Sequence, residues 1–158
     1  AVVTTPAIMA AFAERSDFFS TFGGNPVACT AGLAVLDVLD REGLTGRAAA
    51  SGCRLRSMFH QLKARHPAIH DVRGRGLFLG VELTDGNGPG TDAAAETARI
   101  ALALRRSRVL VGIEGPHANV LKIRPPMVFG DEHGDRLIET LDRILTFESS
   151  AREAGKRR

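Results

Sequence analysis

Two short stretches of this 158-residue chain hold the side chains best suited to binding an anion. In the first, Ser20-Thr21-Phe22-Gly23-Gly24-Asn25-Pro26, two hydroxyls and two glycines lead into a helix start. Asn25 suits an N-cap, and Pro26 suits the first helical position, where a missing N–H costs nothing. Hydroxyls and free amides beside a helix N-terminus can hold a phosphate or carboxylate. A well-capped turn is the simpler use of the same residues. In the second stretch, Arg124 ends the run Val120-Leu121-Lys122-Ile123-Arg124 and is followed by Pro125-Pro126. Strand alternation puts Val120, Lys122 and Arg124 on one face, with Leu121 and Ile123 on the other. The two prolines lock the backbone just past Arg124, which gives its guanidinium a fixed direction. Such a fork of donors matches a carboxylate bidentately, and a structural ion pair is the competing use.

Other candidates carry less. In Arg73-Gly74-Arg75-Gly76 the glycines serve a tight bend between strands better than a ligand. His66 and His70 have a metal-like separation, but Pro67 breaks any helix that would align them. His117 falls in a Gly-Pro-His-Ala-Asn turn, and no Ser-His-acid set has supporting spacing. Cys29 and Cys53 are isolated, which argues against a disulfide framework or zinc site and fits a reducing, cytoplasmic setting. No Gly-x-Gly-x-x-Gly motif is present, so the dinucleotide fingerprint is excluded.

The elements that position these residues follow from the apolar pattern. Residues 1–5 read as the end of a strand, so abrupt a start that the chain looks like a piece of something longer. Thr5 then caps a helix from Pro6 through Ala13. A nearly apolar helix runs from Pro26 to about Arg41, with Val27, Ala31, Ala34, Val35, Val38 and Leu39 spaced to face a core. Gly43 stops it. The next helix, about Gly46 to Arg65, carries the stripe Leu55, Met58, Phe59 and Leu62. Strands are predicted at Ile69–Arg73, Leu77–Leu83, Val109–Ile113 and Asn119–Arg124. A helix capped by Thr91 or Asp92 lies between the two strand pairs, and a last one from about Asp131 to Phe147 follows, with Asp131 as its cap. This order predicts a small α+β layer, a mostly antiparallel sheet with helices on one face.

Composition is that of an ordinary globular domain, 44% hydrophobic and 25% charged. The net charge of +3 resides in the tail after Ser150, and the rest of the chain balances to zero. With neither tryptophan nor tyrosine and no basic face on the fold, nucleic-acid binding is not expected. No apolar run approaches the roughly 20 residues of a membrane helix, so no membrane partner is expected either.

Three motifs, in order, resemble one family. They are Ser-Thr-Phe-Gly-Gly-Asn-Pro-Val-Ala-Cys, Asp71-Val72-Arg73-Gly74-Arg75-Gly76-Leu77-Phe78-Leu79-Gly80-Val81-Glu82-Leu83, and Asn119-Val120-Leu121-Lys122-Ile123-Arg124-Pro125-Pro126-Met127-Val128-Phe129. Together they look like the C-terminal portion of a class III (omega-type) aminotransferase, a fold-type I enzyme using pyridoxal 5'-phosphate. The Pro-His-Ala-Asn-Val-Leu-Lys-Ile-Arg-Pro-Pro-Met stretch most resembles the alanine–glyoxylate and phosphoethanolamine-lyase branch. The resemblance implies an α/β fold whose small domain is α+β. Residues 1–43 would then be the end of the large cofactor domain with its connecting helix, 44–148 the small domain, and 149–158 a disordered basic tail.

The same resemblance implies roles. Thr21, and with it Ser20, would contact the cofactor phosphate, Thr21 reaching into the neighbouring subunit of a homodimer. Arg124 would bind the substrate carboxylate as an amino group passes to a 2-oxo acid. The family's Schiff-base lysine lies upstream of residue 1, and none of Lys63, Lys122 and Lys156 stands in its place. No catalytic residue is therefore assigned in this chain, which by itself is expected to be inactive. A lyase on the same scaffold and a non-catalytic dimerisation or binding module are the alternatives.

Overall fold

The computed structural model describes residues 2–84 and 93–156. Its contacts divide into two units, Ala1–Glu42 and Gly43–Arg158.

The first unit holds α1 (Pro6–Ala13) and α2 (Pro26–Arg41). Both begin on proline at the first turn, as expected, but the Thr5 hydroxyl makes no capping bond. Asn25 does cap α2, its Oδ1 accepting from the Ala28 amide at 2.9 Å. No strand forms over residues 2–5, because extended backbone must pair its amides and carbonyls with a neighbour and none is offered here. The apolar spacing of α2 is real, yet the helix buries none of its residues, and Leu33, Val35 and Leu36 are all more than half exposed.

In the second unit, α3 (Leu44–Arg65) starts directly after Gly43, its N-cap residue, which takes a left-handed φ of 59°. Strands β1 (Ile69–Arg75) and β2 (Phe78–Leu83) form a hairpin, followed by α4 (Ala94–Arg106), β3 (Gly112–Glu114), β4 (Val120–Ile123) and α5 (Asp131–Lys156). The sheet order is β1-β2-β4-β3 and every pairing is antiparallel. One sheet face supplies Val72, Leu79, Val81, Leu121 and Ile123 to the core. The helices close it with Leu55, Phe59 and Leu62 from α3, Ile100 and Leu104 from α4, and Leu137, Leu141 and Leu145 from α5. An α+β layer with helices on one face of an antiparallel sheet is thus the observed architecture.

Boundaries shift where backbone conformation overrides side-chain pattern. Strand β3 begins at Gly112 rather than Val109, because Arg108 leaves α4 in the left-handed region (φ 64°) and Val109 donates back to the Leu104 carbonyl. Asp131 opens α5 as its first residue, not as its cap, since the Gly134 amide donates to Gly130. The helix continues through Lys156, past the expected end at Phe147. The predicted cap of α4, Thr91 or Asp92, lies outside the described residues.

Candidate functional site

Each candidate segment is built differently. Around Ser20 and Thr21 the chain folds back on itself before α2. The Ser20 Oγ accepts from the Gly23 amide at 2.9 Å, and the Asn25 Nδ2 donates to the Phe22 carbonyl at 2.6 Å. A Cβ on Gly23 would come within 2.8 Å of that Oγ, so glycine is required for the turn itself. Gly24 has φ of 72° and open space where a side chain would stand, so its backbone can be approached closely. The amides of Gly23 and Ala28 are thus spent on the turn and the cap. The hydroxyl donors left over are the Ser20 proton and the Thr21 hydroxyl, which is exposed and has no partner among the described residues. Two hydroxyl donors beside an unobstructed glycine backbone fit a phosphate ester, such as that of pyridoxal phosphate.

Arg124 stands on the second unit, one residue past β4. Leu121 and Ile123 point into the core, so alternation carries Val120, Lys122 and Arg124 to the opposite, helix-free face of the sheet. Register orders that face into cross-strand rows. Arg73 pairs with Gly80, Gly80 with Lys122, and Lys122 with Gly112. The next row starts with Arg75 opposite Phe78. One step beyond the Leu79–Ile123 pair, Phe78 in turn comes beside Arg124. Arg73, Arg75, Phe78, Gly80, Lys122 and Arg124 line a cleft of about 590 Å³.

Four cations face this cleft, and two are already committed. The Arg73 Nη1 donates to Glu82 Oε2 at 2.6 Å and to Asp71 Oδ2 at 2.9 Å. Lys122 donates to Glu114, and Gly112 beside it leaves room for the reach, since a Cβ there would press within 3.1 Å of Lys122 Cε. The electrostatics follow these pairs. Arg73 holds the Asp71 carboxyl below its ordinary value through their hydrogen bond. Lys122 does the same to Glu114, and Arg124 adds to the effect from further away. Arg75 and Arg124 form no ion pair or hydrogen bond among the described residues. The sequence reading singled out Arg124 but not Glu82 and Glu114, the carboxylates that neutralise its neighbours. Period-two alternation along β2 and β3 was the available signal.

His66 does not join His70. Its Nε2 lies 2.5 Å from Asp142 Oδ1, tying the end of α3 to α5, and Arg65 Nη1 reaches the other Asp142 oxygen at 2.8 Å. The glycines of the hairpin serve the backbone, as expected. Gly74 has φ of 132°, and a Cβ there would meet the Phe78 carbonyl oxygen at 2.1 Å.

Comparison with known proteins places these features in a family. The model of the class-III aminotransferases matches residues 1–145. Alanine–glyoxylate aminotransferase 2 homolog 2, mitochondrial, from Arabidopsis thaliana, is 47% identical over 142 residues, covering 90% of this chain and 30% of that protein. Among solved structures, a phospholyase from Arthrobacter in complex with phosphoethanolamine superposes with a TM-score of 0.79 at 40% identity, covering 90% of this chain and 34% of the other. An amine transaminase from an uncultivated Pseudomonas species, in its PLP-bound form, gives 0.70 at 32% identity, covering 83% and 30%. The chain thus spans about a third of the length of the proteins it matches. Among the described residues no helix is long and apolar enough to cross a membrane. With the match running from residue 1 to residue 145, the chain belongs to the class-III aminotransferase family.

Proposed function

We propose that this chain supplies the substrate-carboxylate and cofactor-phosphate contacts of a pyridoxal-phosphate-dependent aminotransferase that moves an amino group to a 2-oxo acid. The observation that carries the reading is Arg124. It is an uncommitted guanidinium at the mouth of a cleft whose neighbouring cations, Arg73 and Lys122, are neutralised by built-in carboxylates. A carboxylate entering the cleft meets a free positive charge there. Pyridoxal phosphate, when bound, supplies the electron sink that lets a bond at the substrate α carbon break. Arg124 holds the substrate carboxylate and so orients that carbon. Ser20 and Thr21 donate their hydroxyl protons to the cofactor phosphate, with Thr21 acting on the site of the neighbouring subunit in a homodimer. The lysine that binds the cofactor comes from outside these 158 residues, so the chain alone is inactive. We place the enzyme in the cytoplasm, bound to neither nucleic acid nor membrane.

Replacing Arg124 by Ala in the intact enzyme tests this reading. Losing a charge-assisted bidentate pair costs on the order of 2–4 kcal/mol in kcat/KM for substrates that carry the carboxylate. Amines without a carboxylate lose much less. Equal losses for both classes assign Arg124 a structural role instead.

The 40% identity to a phospholyase that binds phosphoethanolamine favours a second reading, elimination on the same scaffold. Products separate the two. Release of inorganic phosphate from phosphoethanolamine indicates the lyase, and alanine-dependent conversion of glyoxylate to glycine indicates the aminotransferase.

A further inference from the structure

The cleft that holds Arg124 contains a second uncommitted guanidinium. Arg75 is the last residue of β1 and shares a cross-strand row with Phe78, which also neighbours Arg124 just past the end of β4. Adjacent strands lie about 4.8 Å apart, so the two arginines stand about 10 Å apart at the backbone on the same sheet face. Phe78 lies between them, 59% exposed, an apolar floor with a donor fork at each side.

The pattern of neutralisation distinguishes this row from the others. One row away Arg73 is held by Asp71 and Glu82, and Lys122 by Glu114. In the row of Arg75, Phe78 and Arg124 there is no carboxylate at all. Like charges brought to one edge of a sheet repel, and Glu114, which acts on Arg124 only from a distance, is itself bonded to Lys122. An incoming anion relieves the repulsion.

The backbone under Arg75 is also unusually constrained. Gly74 before it and Gly76 after it both have positive φ, 132° and 53°. Gly76 rests directly on α3, where a Cβ at Gly52 would sit 2.1 Å from its carbonyl oxygen. The base of the Arg75 side chain is therefore fixed to the helical layer, which lowers the entropy lost when the guanidinium engages a ligand.

We infer that Arg75 is a second anion-binding residue of the cleft, so that the preferred substrates are amino or oxo acids carrying a distal acidic group. The α-carboxylate engages Arg124, the short carbon chain crosses Phe78, and the distal anion engages Arg75. This inference rests on the assignment of Arg124 to the carboxylate. Two chemistries satisfy the distal end, a carboxylate and a phosphate monoester, and both present oxygens that match the guanidinium fork.

Kinetics of the intact enzyme with L-alanine, L-glutamate and O-phospho-L-serine, as wild type, Arg75→Gln and Arg124→Gln, test it. Arg75→Gln raises KM on the order of tenfold or more for L-glutamate, O-phospho-L-serine or both, and leaves L-alanine unchanged. Which of these two substrates responds identifies the distal group. Arg75→Lys, which keeps the charge and loses the fork, falls between wild type and Arg75→Gln. A parallel titration of the intact enzyme with glutarate and with propionate, followed by NMR of the arginine side-chain N–H groups, reads binding without turnover. Glutarate perturbs Arg75, propionate does not. If Arg124→Gln weakens all three substrates while Arg75→Gln changes none, the inference falls and the reading of Arg124 stands. If Arg124→Gln is silent, the reading of Arg124 falls and the inference falls with it.

Discussion

Gly52 of α3 lies against Gly76 of the β1–β2 turn so closely that a Cβ on Gly52 would sit 2.1 Å from the Gly76 carbonyl oxygen and 2.3 Å from its carbonyl carbon. The obstructing atoms are backbone, which has no rotamer to move into. The helix and the hairpin therefore set one another's position, and the row of Arg75, Phe78 and Arg124 inherits it.

Gly52→Ala should accordingly destabilise the fold by about 1–3 kcal/mol, the usual cost of overpacking a site that cannot yield. Gly46, on the same helix, has open space where its Cβ would be. Gly46→Ala should change stability little, or raise it by up to about 1 kcal/mol. Urea denaturation of both variants checks the contrast, and equal effects would show that the close approach does not constrain the helix.

Acid should loosen the clamp between α3 and α5. The hydrogen bond from His66, aided by the Arg65 guanidinium, holds the Asp142 carboxyl below its ordinary value against the opposing effect of burial. A carboxyl held down in the folded state contributes stability that is complete above its unfolded value near 4. That contribution disappears as pH falls through the lower folded value. Asp142→Asn should lower the melting temperature at pH 7 and reduce the further drop between pH 5 and roughly pH 2. Thermal melts of the two proteins across that range measure it. Parallel curves would place the acid sensitivity elsewhere, with Asp71 and Glu114 the next candidates, since both are held low by their own cationic neighbours.

Removing the Thr21 hydroxyl should weaken pyridoxal phosphate binding by roughly 1–3 kcal/mol, about ten- to a hundredfold. Donation across a subunit interface has a further signature in a mixed dimer. One subunit carries Thr21→Ala, and the other lacks the cofactor-binding lysine. With donation in trans, both defects fall in one site and the second site keeps wild-type affinity. With donation in cis, each site carries one defect. Titrating the purified heterodimer with pyridoxal phosphate distinguishes the two, and finding no wild-type-like site assigns the hydroxyl to its own subunit.

Much of the molecule was legible in short stretches of sequence because the determinants are themselves short. Asn25-Pro26 marks the start of α2, since a capping oxygen and a fixed φ act within one turn. The stripe Leu55, Phe59 and Leu62 and the alternation of Leu121 and Ile123 named their core faces, because helix and strand periods are properties of backbone geometry alone. The three family motifs likewise needed no coordinates. What tertiary structure decided were the relationships between distant residues. Asp142 finds His66 across 76 positions, and Arg73 finds Glu82 only because the hairpin register places the Asp71–Glu82 pair two positions from Arg73 and Gly80, on the same face. Residues 2–5 have the β-branched character of a strand and α2 has the stripe of a buried helix. Pairing and burial need a second surface, however, and here residues 2–5 form no strand and α2 buries none of its residues. The charge left over in the cleft has the same origin. Four cations can be read off the sequence, but which two remain free follows from the carboxylates that the sheet brings beside the other two.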